Sequence, residues 1–455
     1  MLVRDIKRLV LVVGPVLFLL FLGASLWDSE LAFRLRSHAG EFLGTAKMLE
    51  ADYPHRRPYE PASGHNAAPS GAAPGHGHQE THREIFSLST ADKKYFPIKF
   101  GNQEAFNPNI IPHPTKDNTC IIVGQKATGP HDPKFNFFEV GCEAVFIDGT
   151  LRCLDDDDMP AILPVAPTVG LPLSCENEPG IAGMLGLNIG PHDARLLYGP
   201  TKPYLLFGSN SMFTCFGMWL QDFRTLMDWD AADETTDGDF ARATELQRPP
   251  PFSGIEKNWF IFWDRDDTPH VHIDTFPTRV MARLHPDGSV GKDLSRYAAE
   301  QDERCLAHYL PPLPPRNESI HQATNSLRVT TCRRGDCDPG ETNTVIVTII
   351  QHKKYYDYHG EYEPYVVAFR DGTPFEIVGI SEKPLWIHGR EYLPGGEASE
   401  MFYLVSMNWK ERGRNYHGYL DDEILLAFGI EDKGSGGVDV RAGDLLAGLG
   451  RCAEV

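Results

Sequence analysis

Short apolar stretches separated by Gly, Pro, Asn or Asp recur from about residue 86 to the end of the chain. They are rich in β-branched and aromatic residues, and some alternate with polar residues while others are continuous, as in half-buried and fully buried strands. Only short stretches such as 222–229 look helical. We therefore predict an all-β domain over 86–455, with strands at 119–124, 144–148, 203–208, 259–264, 344–352, 365–369, 402–407 and 423–430.

Similar strand openings recur at five places along this domain, and most of them begin with polar residues. These openings begin at Asn107, His192, Glu256, Asn325 and Phe402, and they are 64 to 85 residues apart. A four-stranded blade takes about 40–50 residues, so each unit has room for one blade and its loops. We predict a five-bladed β-propeller with a central funnel. A β-sandwich with long loops is the alternative, but it does not explain why polar residues open successive units.

The most hydrophobic stretch of the chain is 9–27, nineteen residues without a charge. At about 1.5 Å per residue a helix of this length crosses a hydrocarbon core of about 30 Å. Basic residues precede it and acidic residues follow it, which predicts a cytosolic tail at 1–8 and a lumenal remainder. We predict an uncleaved signal anchor, with a cleaved signal peptide as the alternative. Residues 28–50 could form a short amphipathic helix, and residues 51–82 are rich in Pro, Gly, Ala and His. We predict a flexible stem over 28–85.

The chain carries 63 acidic and 43 basic side chains, a formal charge of −20. This excess argues against nucleic-acid binding, because phosphate recognition needs a basic surface. Hydrophobic residues at 41% and charged residues at 23% are typical of folded proteins.

Nine cysteines follow the anchor, which agrees with an oxidising compartment. Cys332 and Cys337 flank a polar turn and are the easiest local disulfide pair, and the odd total leaves at least one thiol free or paired between chains. The sequon at Asn317 follows a Pro-rich stretch and predicts a glycosylated loop. This layout predicts a single-pass type II membrane protein of the Golgi or another secretory-pathway membrane, although a plasma-membrane ectodomain has the same layout.

The second and third openings hold the residues with the clearest chemical potential. They are Asp193 and Arg195 in the second, and Glu256, Lys257, Asn258 and Trp259 in the third. A carboxylate can take a hydroxyl proton while nearby cations neutralise a leaving phosphate, which suits transfer of a sugar from a phosphorylated donor. A Trp at the same rim would offer a face for a pyranose ring. The alternative is that these charged residues form ion pairs that cap the blades.

These motifs carry a resemblance to a known group of enzymes. The order of 107–112 (NPNIIP), 192–195 (HDAR) and 256–259 (EKNW) resembles the β-mannoside phosphorylases of the glycoside hydrolases and the related inverting β-mannosyltransferases, including the fungal ones. In the phosphorylases the second motif is usually Glu-Asp-Pro-Arg, and its Asp is the general acid. Asp193 and Arg195 match the Asp and the Arg of this motif, whereas His192 and Ala194 differ from its Glu and Pro. The two differences argue against phosphorolysis more than they argue against the fold.

The resemblance implies a five-bladed propeller that inverts the anomeric centre of mannose in one displacement. Asp193 would be the base for the acceptor hydroxyl, and Glu256 and Asn258 would bind sugar hydroxyls. The diphosphate would be held by Arg195, Lys257 and either His352 or Lys353. The last two blades would contribute rim residues, namely His388, Arg390, His417 and Asp421, for each of which a structural role is the alternative.

We therefore predict a glycosyltransferase. The resemblance alone implies that it moves mannose from GDP-mannose to a mannose-containing glycan and forms a β linkage. The alternatives are a β-mannoside hydrolase or phosphorylase on the same scaffold and a non-catalytic, glycan-binding propeller. The acidic run 155–158 lacks an alternating strand and helix pattern around it, so we interpret it as an exposed loop and predict no metal site.

Overall fold

The structure is a computed structural model. It describes residues 81–129, 132–154, 160–166, 168, 175, 181–227, 238–250, 253–314, 317–356, 359–394 and 398–455. The predicted tail, the signal anchor, the stem up to residue 80 and the acidic run 155–158 lie outside these residues. Among the helices that are described, none has the length and apolar character needed to cross a membrane.

Strands dominate the described residues, as the sequence predicted. In chain order they are β1 (Arg83–Ile85), β2 (Phe96–Lys99), β3 (Ala105–Pro112), β4 (Cys120–Lys126), β5 (Glu139–Ile147), β6 (Thr150–Cys153), β7 (Ala161–Ile162), β8 (His192–Tyr198), β9 (Pro203–Asn210), β10 (Phe216–Asp222), β11 (Thr244–Glu245), β12 (Phe260–Trp263), β13 (Pro269–Asp274), β14 (Val280–Arg283), β15 (Glu318–Gln322), β16 (Leu327–Thr330), β17 (Thr344–Tyr356), β18 (His359–Arg370), β19 (Ile377–Ser381), β20 (Leu385–Ile387), β21 (Phe402–Trp409), β22 (His417–Tyr419), β23 (Glu423–Ile430), β24 (Gly434–Arg441) and β25 (Leu449–Arg451). Each of the eight predicted stretches falls on one of these strands.

Helices are few and short. They are α1 (Ile181–Leu185), α2 (Ala299–Tyr309) and α3 (Ala442–Leu446), with single 3₁₀ turns at Phe223–Thr225, Ser295–Tyr297 and Cys452–Glu454. The stretch 222–229, which looked helical, contributes only one of these turns in its described part. The sequence analysis missed α2. The buried residues of this helix are Asp302, Cys305 and Leu306. So narrow an apolar stripe gives little periodic signal.

Five groups of antiparallel strands follow one another along the chain. They are β3–β6, β8–β11, β12–β14, β16–β19 and the group of β21, β23 and β24. Their first strands coincide with the five openings seen in the sequence. β2 pairs with β24 through Phe96 and with β6 through Ile98, so it joins the fifth group to the first. β1 pairs with β20, and the folded region therefore begins before residue 86.

Hydrophobic clusters fill the space between successive groups. Ile121 packs with Leu205 between the first and second groups, and other clusters join the second to the third and the third to the fourth. The largest cluster joins the fourth group to the fifth. Leu425 packs with Phe96 and Ile110, which links the fifth group to the first. Each group therefore contacts the next along the chain, and the last contacts the first.

Buried asparagine side chains bond the first strands to one another. The amide of Asn109 donates to the carbonyl of Ala194 and accepts from the N–H of Leu196. Asn408 donates to Ile110, and Asn325 exchanges two hydrogen bonds with the backbone of Met407. These amides satisfy backbone groups that would otherwise be buried without partners, so they fix the relative positions of the strand openings.

Four disulfides join described cysteines, and Cys120 is a buried free thiol. The pairs are Cys142–Cys153, Cys175–Cys215, Cys305–Cys452 and Cys332–Cys337. Cys332 and Cys337 thus bond across the turn at which the sequence suggested a pair. Asn317, the residue of the sequon, is exposed.

Candidate active site

All five strand groups contribute to one cavity of about 430 Å³. Its lining residues are Phe106, Asn107, Gln125, His192, Asp193, Lys257, Asn258, His321, Lys353, Tyr362, Met401, Tyr403 and Asp432. Most of them lie at or just before the start of a strand, as the opening pattern predicted.

Three openings share an unusual local conformation. Asn107, Asp193 and Asn258 have left-handed backbones, with φ of 51°, 52° and 62°. The pairing of β3 and β8 with their neighbours shifts register at the first two of these residues, as in a β-bulge. Asn and Asp adopt this conformation more readily than other residues with side chains. Each of these polar residues therefore has two roles. It adopts the left-handed backbone of the opening, and its side chain lines the cavity.

An ion pair between Asp193 and Lys257 lies in this cavity. Lys257 Nζ is 2.9 Å from Asp193 Oδ2, and Asn107 Nδ2 donates to Asp193 Oδ1 at 3.2 Å. The backbone N–H of Asp193 donates to Gln125 Oε1 at 2.9 Å, which holds the strained turn. His192 Nε2 is 3.6 Å from the same carboxylate. The carboxylate is thus fixed in position while its side chain remains 19% exposed.

The charges of this cluster shift one another's protonation. Burial alone would raise the pKa of Asp193, but Lys257, His192 and Arg195 more than offset it and hold that pKa well below its usual range. The same carboxylate raises the pKa of Lys257. Burial lowers the pKa of His192, so this imidazole is neutral at pH 7. The cavity therefore holds a carboxylate and an ammonium group, both ionised.

Lys353 adds a second ammonium group without a carboxylate partner among the described residues. Its Nζ lies 5.4 Å and 5.6 Å from the ring centres of Tyr355 and Tyr362. Burial and the charge of Lys257 lower the pKa of Lys353. A cation in this setting is stabilised by any anion that enters the cavity.

Asp432 brings a second carboxylate into the cavity. It follows Glu431 in the turn between β23 and β24, and both residues have left-handed backbones, with φ of 54° and 49°. Glu431 is held by Met401, whose N–H donates to Oε1 at 2.7 Å. Asp432 accepts no side-chain hydrogen bond within the described part of the chain. Burial and the charge of Asp193 raise the pKa of Asp432.

Two tyrosines give the cavity an aromatic side. The rings of Tyr362 and Tyr403 meet edge to face with their centres 5.0 Å apart. Tyr403 Oη accepts a hydrogen bond from Arg195 at 3.2 Å. Both tyrosines are half-buried, so they can contact a sugar ring as well as each other.

Four of the residues predicted from the sequence line this cavity. They are Asp193, Lys257, Asn258 and Lys353. Asn258 Nδ2 lies 3.4 Å from His321 Nδ1, and this contact joins the third group to β15, which pairs with β17 of the fourth group. Burial and the two lysines lower the pKa of His321 to about 4, so this imidazole is neutral at physiological pH.

Three other predicted residues lie behind the cavity wall, and their predicted roles have to be corrected. Trp259 is 1% exposed and donates to Glu256, so it cannot offer a face to a sugar ring at the rim. The carboxylate of Glu256 is already used by Arg248, the N–H of Ser253 and this indole. Arg195 is 3% exposed and donates to the carbonyl of Asp193 at 2.8 Å, which suits positioning of the turn rather than binding of a diphosphate.

The remaining predicted residues do not line the cavity. His352 is buried against Glu318, and His388 contacts Glu84 at 2.7 Å. Arg390 is buried between Glu363 and Ser399. His417 bonds Thr330, and Asp421 accepts from the N–H of Arg334. Their partners are protein groups, as the structural alternative proposed.

The sequence analysis missed several cavity residues. Asn107 and Tyr403 lie inside two of the recognised openings, near the starts of β3 and β21, and this position was the available signal. His321 and Tyr362 lie on β15 and β18, and Asp432 lies in a hairpin turn. Local sequence gives no sign that these positions face the same cavity.

No group of three or more His, Cys, Asp or Glu side chains in the described ranges is arranged to hold a metal ion. The other polar groups that line the cavity are ammonium, amide, imidazole and phenol groups, and of its two carboxylates Asp193 is paired with Lys257.

Comparisons with known proteins give structural neighbours only. No protein-family model matches the sequence, and no curated protein matches it. A β-1,2-mannobiose phosphorylase from Listeria innocua is 11% identical with a TM-score of 0.40, over 80% of this chain and 96% of that one. A GDP-Man-dependent mannosyltransferase from Leishmania mexicana is 9% identical with a TM-score of 0.35, over 76% and 88%. An endo-arabinanase from Bacillus licheniformis is 12% identical with a TM-score of 0.33, over 76% and 96%. At this level of similarity no function can be transferred.

Proposed function

We propose that the protein is an inverting glycosyltransferase that moves mannose from GDP-mannose to a mannose-containing glycan and forms a β-mannosidic linkage. The observation that carries this proposal is the unpaired ammonium group of Lys353 beside the Asp193–Lys257 ion pair in one cavity. The choice of GDP-mannose and of a β linkage is supported by the resemblance of residues 107–112, 192–195 and 256–259.

The two lysines suit a phosphorylated donor. A nucleoside diphosphate leaves with negative charge, and fixed cations stabilise that charge as it develops. Lys257 is already paired with Asp193, whereas Lys353 has no carboxylate at ion-pair distance among the described residues. An incoming diphosphate would therefore bind Lys353 directly and share Lys257 with the carboxylate.

This sharing would also change Asp193. A donor phosphate near Lys257 offsets part of the positive charge that lowers the pKa of Asp193. The carboxylate then becomes a better base for the acceptor hydroxyl. Attack of that hydroxyl oxygen on the anomeric carbon forms the new glycosidic bond, the bond to the diphosphate breaks on the opposite face, and the hydroxyl proton passes to Asp193.

The surrounding fold is proposed to be a five-bladed propeller. The five strand groups, the clusters that link each group to the next and the position of β2 between the fifth group and the first support this inference. Location in a Golgi or other secretory-pathway membrane, with the domain lumenal, also remains a proposal. The four disulfides and the exposed sequon support it.

The test is to incubate the purified full-length protein with a panel of nucleotide sugars and mannoside acceptors, with and without a chelator. Release of GDP from GDP-mannose, coupled to a β-linked product, is the expected result. GDP release without an extended acceptor would indicate donor hydrolysis and contradict transfer. Activity with another nucleotide sugar would support glycosyl transfer but contradict the choice of GDP-mannose as donor.

Asp432 favours a second candidate, which is hydrolysis or phosphorolysis of a β-mannoside. A carboxyl with a raised pKa beside one that stays ionised is the pairing that an inverting hydrolase needs for its acid and its base. Incubation of a mannoside with and without phosphate separates these reactions from transfer. Binding of mannosides with no turnover of any substrate would favour the glycan-binding alternative.

A further inference from the structure

A second cavity, of about 440 Å³, lies at the other end of the first strands. β8 and β21 begin beside the candidate active site, and the residues that follow their ends, such as Pro200 and Glu411, line this second cavity. A strand of seven or eight residues is roughly 25 Å long. The second cavity is therefore separate from the reacting centre, and we name it the arginine cavity.

Arginine dominates its lining. A chain with a formal charge of −20 places four guanidinium groups around this cavity, against two acidic side chains, Asp267 and Glu411. The four are Arg328, Arg334, Arg412 and Arg414. Arginine is the side chain best suited to bind oxyanions, because its planar fork can give two parallel hydrogen bonds.

Carboxylates hold these guanidinium groups in place. Asp422 is buried and accepts from Nη2 of Arg334 at 2.8 Å and from Arg414. Nη1 of Arg328 is 2.9 Å from Asp267 and donates to the carbonyl of Asp264 at 2.8 Å. Side chains fixed in this way lose little conformational entropy when a ligand binds.

The same contacts leave donors unused. A guanidinium group has five N–H donors. In the described part of the chain, Nε and Nη2 of Arg328 and Nε and Nη1 of Arg334 have no hydrogen-bond partner. Their guanidinium groups lie over the rings of Tyr416 and Tyr419, at 5.7 Å and 4.3 Å. Two oriented cations therefore retain free donors at one cavity.

A local disulfide positions one of them. Arg334 lies between Cys332 and Cys337, and its own N–H donates to Asp421 at 2.8 Å. His417 completes the wall, and its Nε2 lies 2.8 Å from Thr330 Oγ1. Burial and the charges of Arg328 and Arg334 lower the pKa of His417 to about 4, which leaves it neutral beside them. The positive charge at this cavity is thus carried by the arginines and not by His417.

We propose that the arginine cavity binds a phosphoryl group through Arg328 and Arg334. Tyr416 is 2% exposed, so its ring is not open to a nucleobase or a sugar, whereas the free donors match the oxygens of a compact oxyanion. The group could come from free phosphate or from a phosphorylated sugar. The proposal does not depend on the function proposed for the first cavity.

The test is calorimetric titration of inorganic phosphate and of a mannose phosphate into the full-length chain. A Lys353→Gln background removes the phosphate contact proposed for the first cavity. In this background, the further substitution Arg334→Gln should weaken phosphate binding about tenfold, because it removes charge-assisted hydrogen bonds. The matched control is Arg304→Gln on α2, whose partner is exposed Glu300, and it should leave the affinity unchanged.

A second variant is expected to bind phosphate more tightly, and such a gain cannot result from a loss of folding. Glu411→Gln removes a negative charge from the cavity lining and should tighten phosphate binding. Tighter binding of the mannose phosphate than of phosphate, lost on Arg334→Gln, would identify a phosphorylated glycan as the source. Absence of saturable binding at millimolar phosphate, or equal affinity in the folded Arg334→Gln and Glu411→Gln variants, would overturn the proposal.

Discussion

Two ion pairs in this protein join similar charges at similar distances but differ in their surroundings. Arg279 Nη1 is 2.7 Å from Asp302 Oδ2, and both side chains are 2% exposed. Lys257 Nζ is 2.9 Å from Asp193 Oδ2, and these side chains are 34% and 19% exposed. The first pair lies in the protein interior, and the second lies in the candidate active site.

The partners of each pair explain this difference. Arg279 also donates to the carbonyl of Phe375, and Asp302 accepts from the N–H of Ile377. Apart from Nε of Arg279, which is buried without a partner in the described structure, the polar atoms of the interior pair bond to groups of the fold. The cavity pair faces open space in which Lys353 and Asp432 have no ion-pair partner among the described residues. A pair enclosed by the fold can only contribute to the structure, whereas a pair that borders a cavity can also bind and react with a ligand.

The largest effect should come from Asp193→Asn. We expect the rate of GDP release to fall at least about a thousandfold, because the amide cannot accept the acceptor's proton. Asn tolerates the left-handed backbone at this position, and Lys257 is partly solvated, so the loss of unfolding free energy should be smaller than when a fully buried ion pair is broken. Initial rates and thermal melting of the same preparation test both parts.

Two results for Asp193→Asn would contradict the contrast between the cavity pair and the interior pair. Full activity in Asp193→Asn would exclude this residue as the base. A large fall in melting temperature would show that the cavity pair is structural, like the interior pair.

Asp302→Ala should show the reverse pattern. It leaves Arg279 buried without its carboxylate, which typically costs about 3–5 kcal/mol of unfolding free energy. Activity per folded molecule should not change, because neither residue lines the cavity. Denaturant titration measures the loss. The double variant Arg279→Met, Asp302→Leu should recover most of it, and no recovery would contradict the explanation by an unpaired charge.

Lys353 and Lys354 provide a matched pair for the proposed donor site. Lys353 lines the cavity, whereas Lys354 contacts Glu361 at 3.9 Å and does not line it. Lys353→Gln should raise the KM for the nucleotide sugar about tenfold, the effect of one lost charge-assisted contact. Lys354→Gln should leave KM unchanged. Equal effects of the two substitutions would indicate a general influence of charge rather than a donor contact.

The sequence predicts the repeating part of this structure better than its cavity. Asn107 and Asp193 could be identified because a polar residue at the start of a strand is a local signal. The burial of Trp259 beside half-buried Asn258 could not be predicted, because it depends on which side of the strand opening packs against the neighbouring group. Asp432 and Tyr362 reach the cavity only because distant groups assemble, and no local pattern records that contact.

Glu139 is a third carboxyl group that can be compared with Asp302 and Asp193, and it has no cation at bonding distance in the described structure. It is 1% exposed and lies behind Asp193, where Oε1 accepts from the N–H of Ala194 at 3.4 Å. Oε2 has no hydrogen-bond partner in the described structure. Burial raises the pKa of Glu139 well above its ordinary value, with a further contribution from Asp193. Glu139 should therefore remain protonated where an exposed glutamate has ionised.

This protonation gives the smallest predicted effect, a dependence of stability on pH. Above about pH 4.3 the unfolded chain releases the proton of Glu139 while the folded chain keeps it. Stability of the native protein should therefore fall as pH rises from there toward the raised pKa, and Glu139→Gln should remove this term. At pH 8 we expect the variant to be more stable than the native protein, with the difference shrinking toward pH 4.5. Denaturant titrations at both pH values test this, with exposed Glu300→Gln as the control. A difference that does not depend on pH would mean that Glu139 is ionised in the fold, stabilised by Arg195 in the way that Lys257 stabilises Asp193.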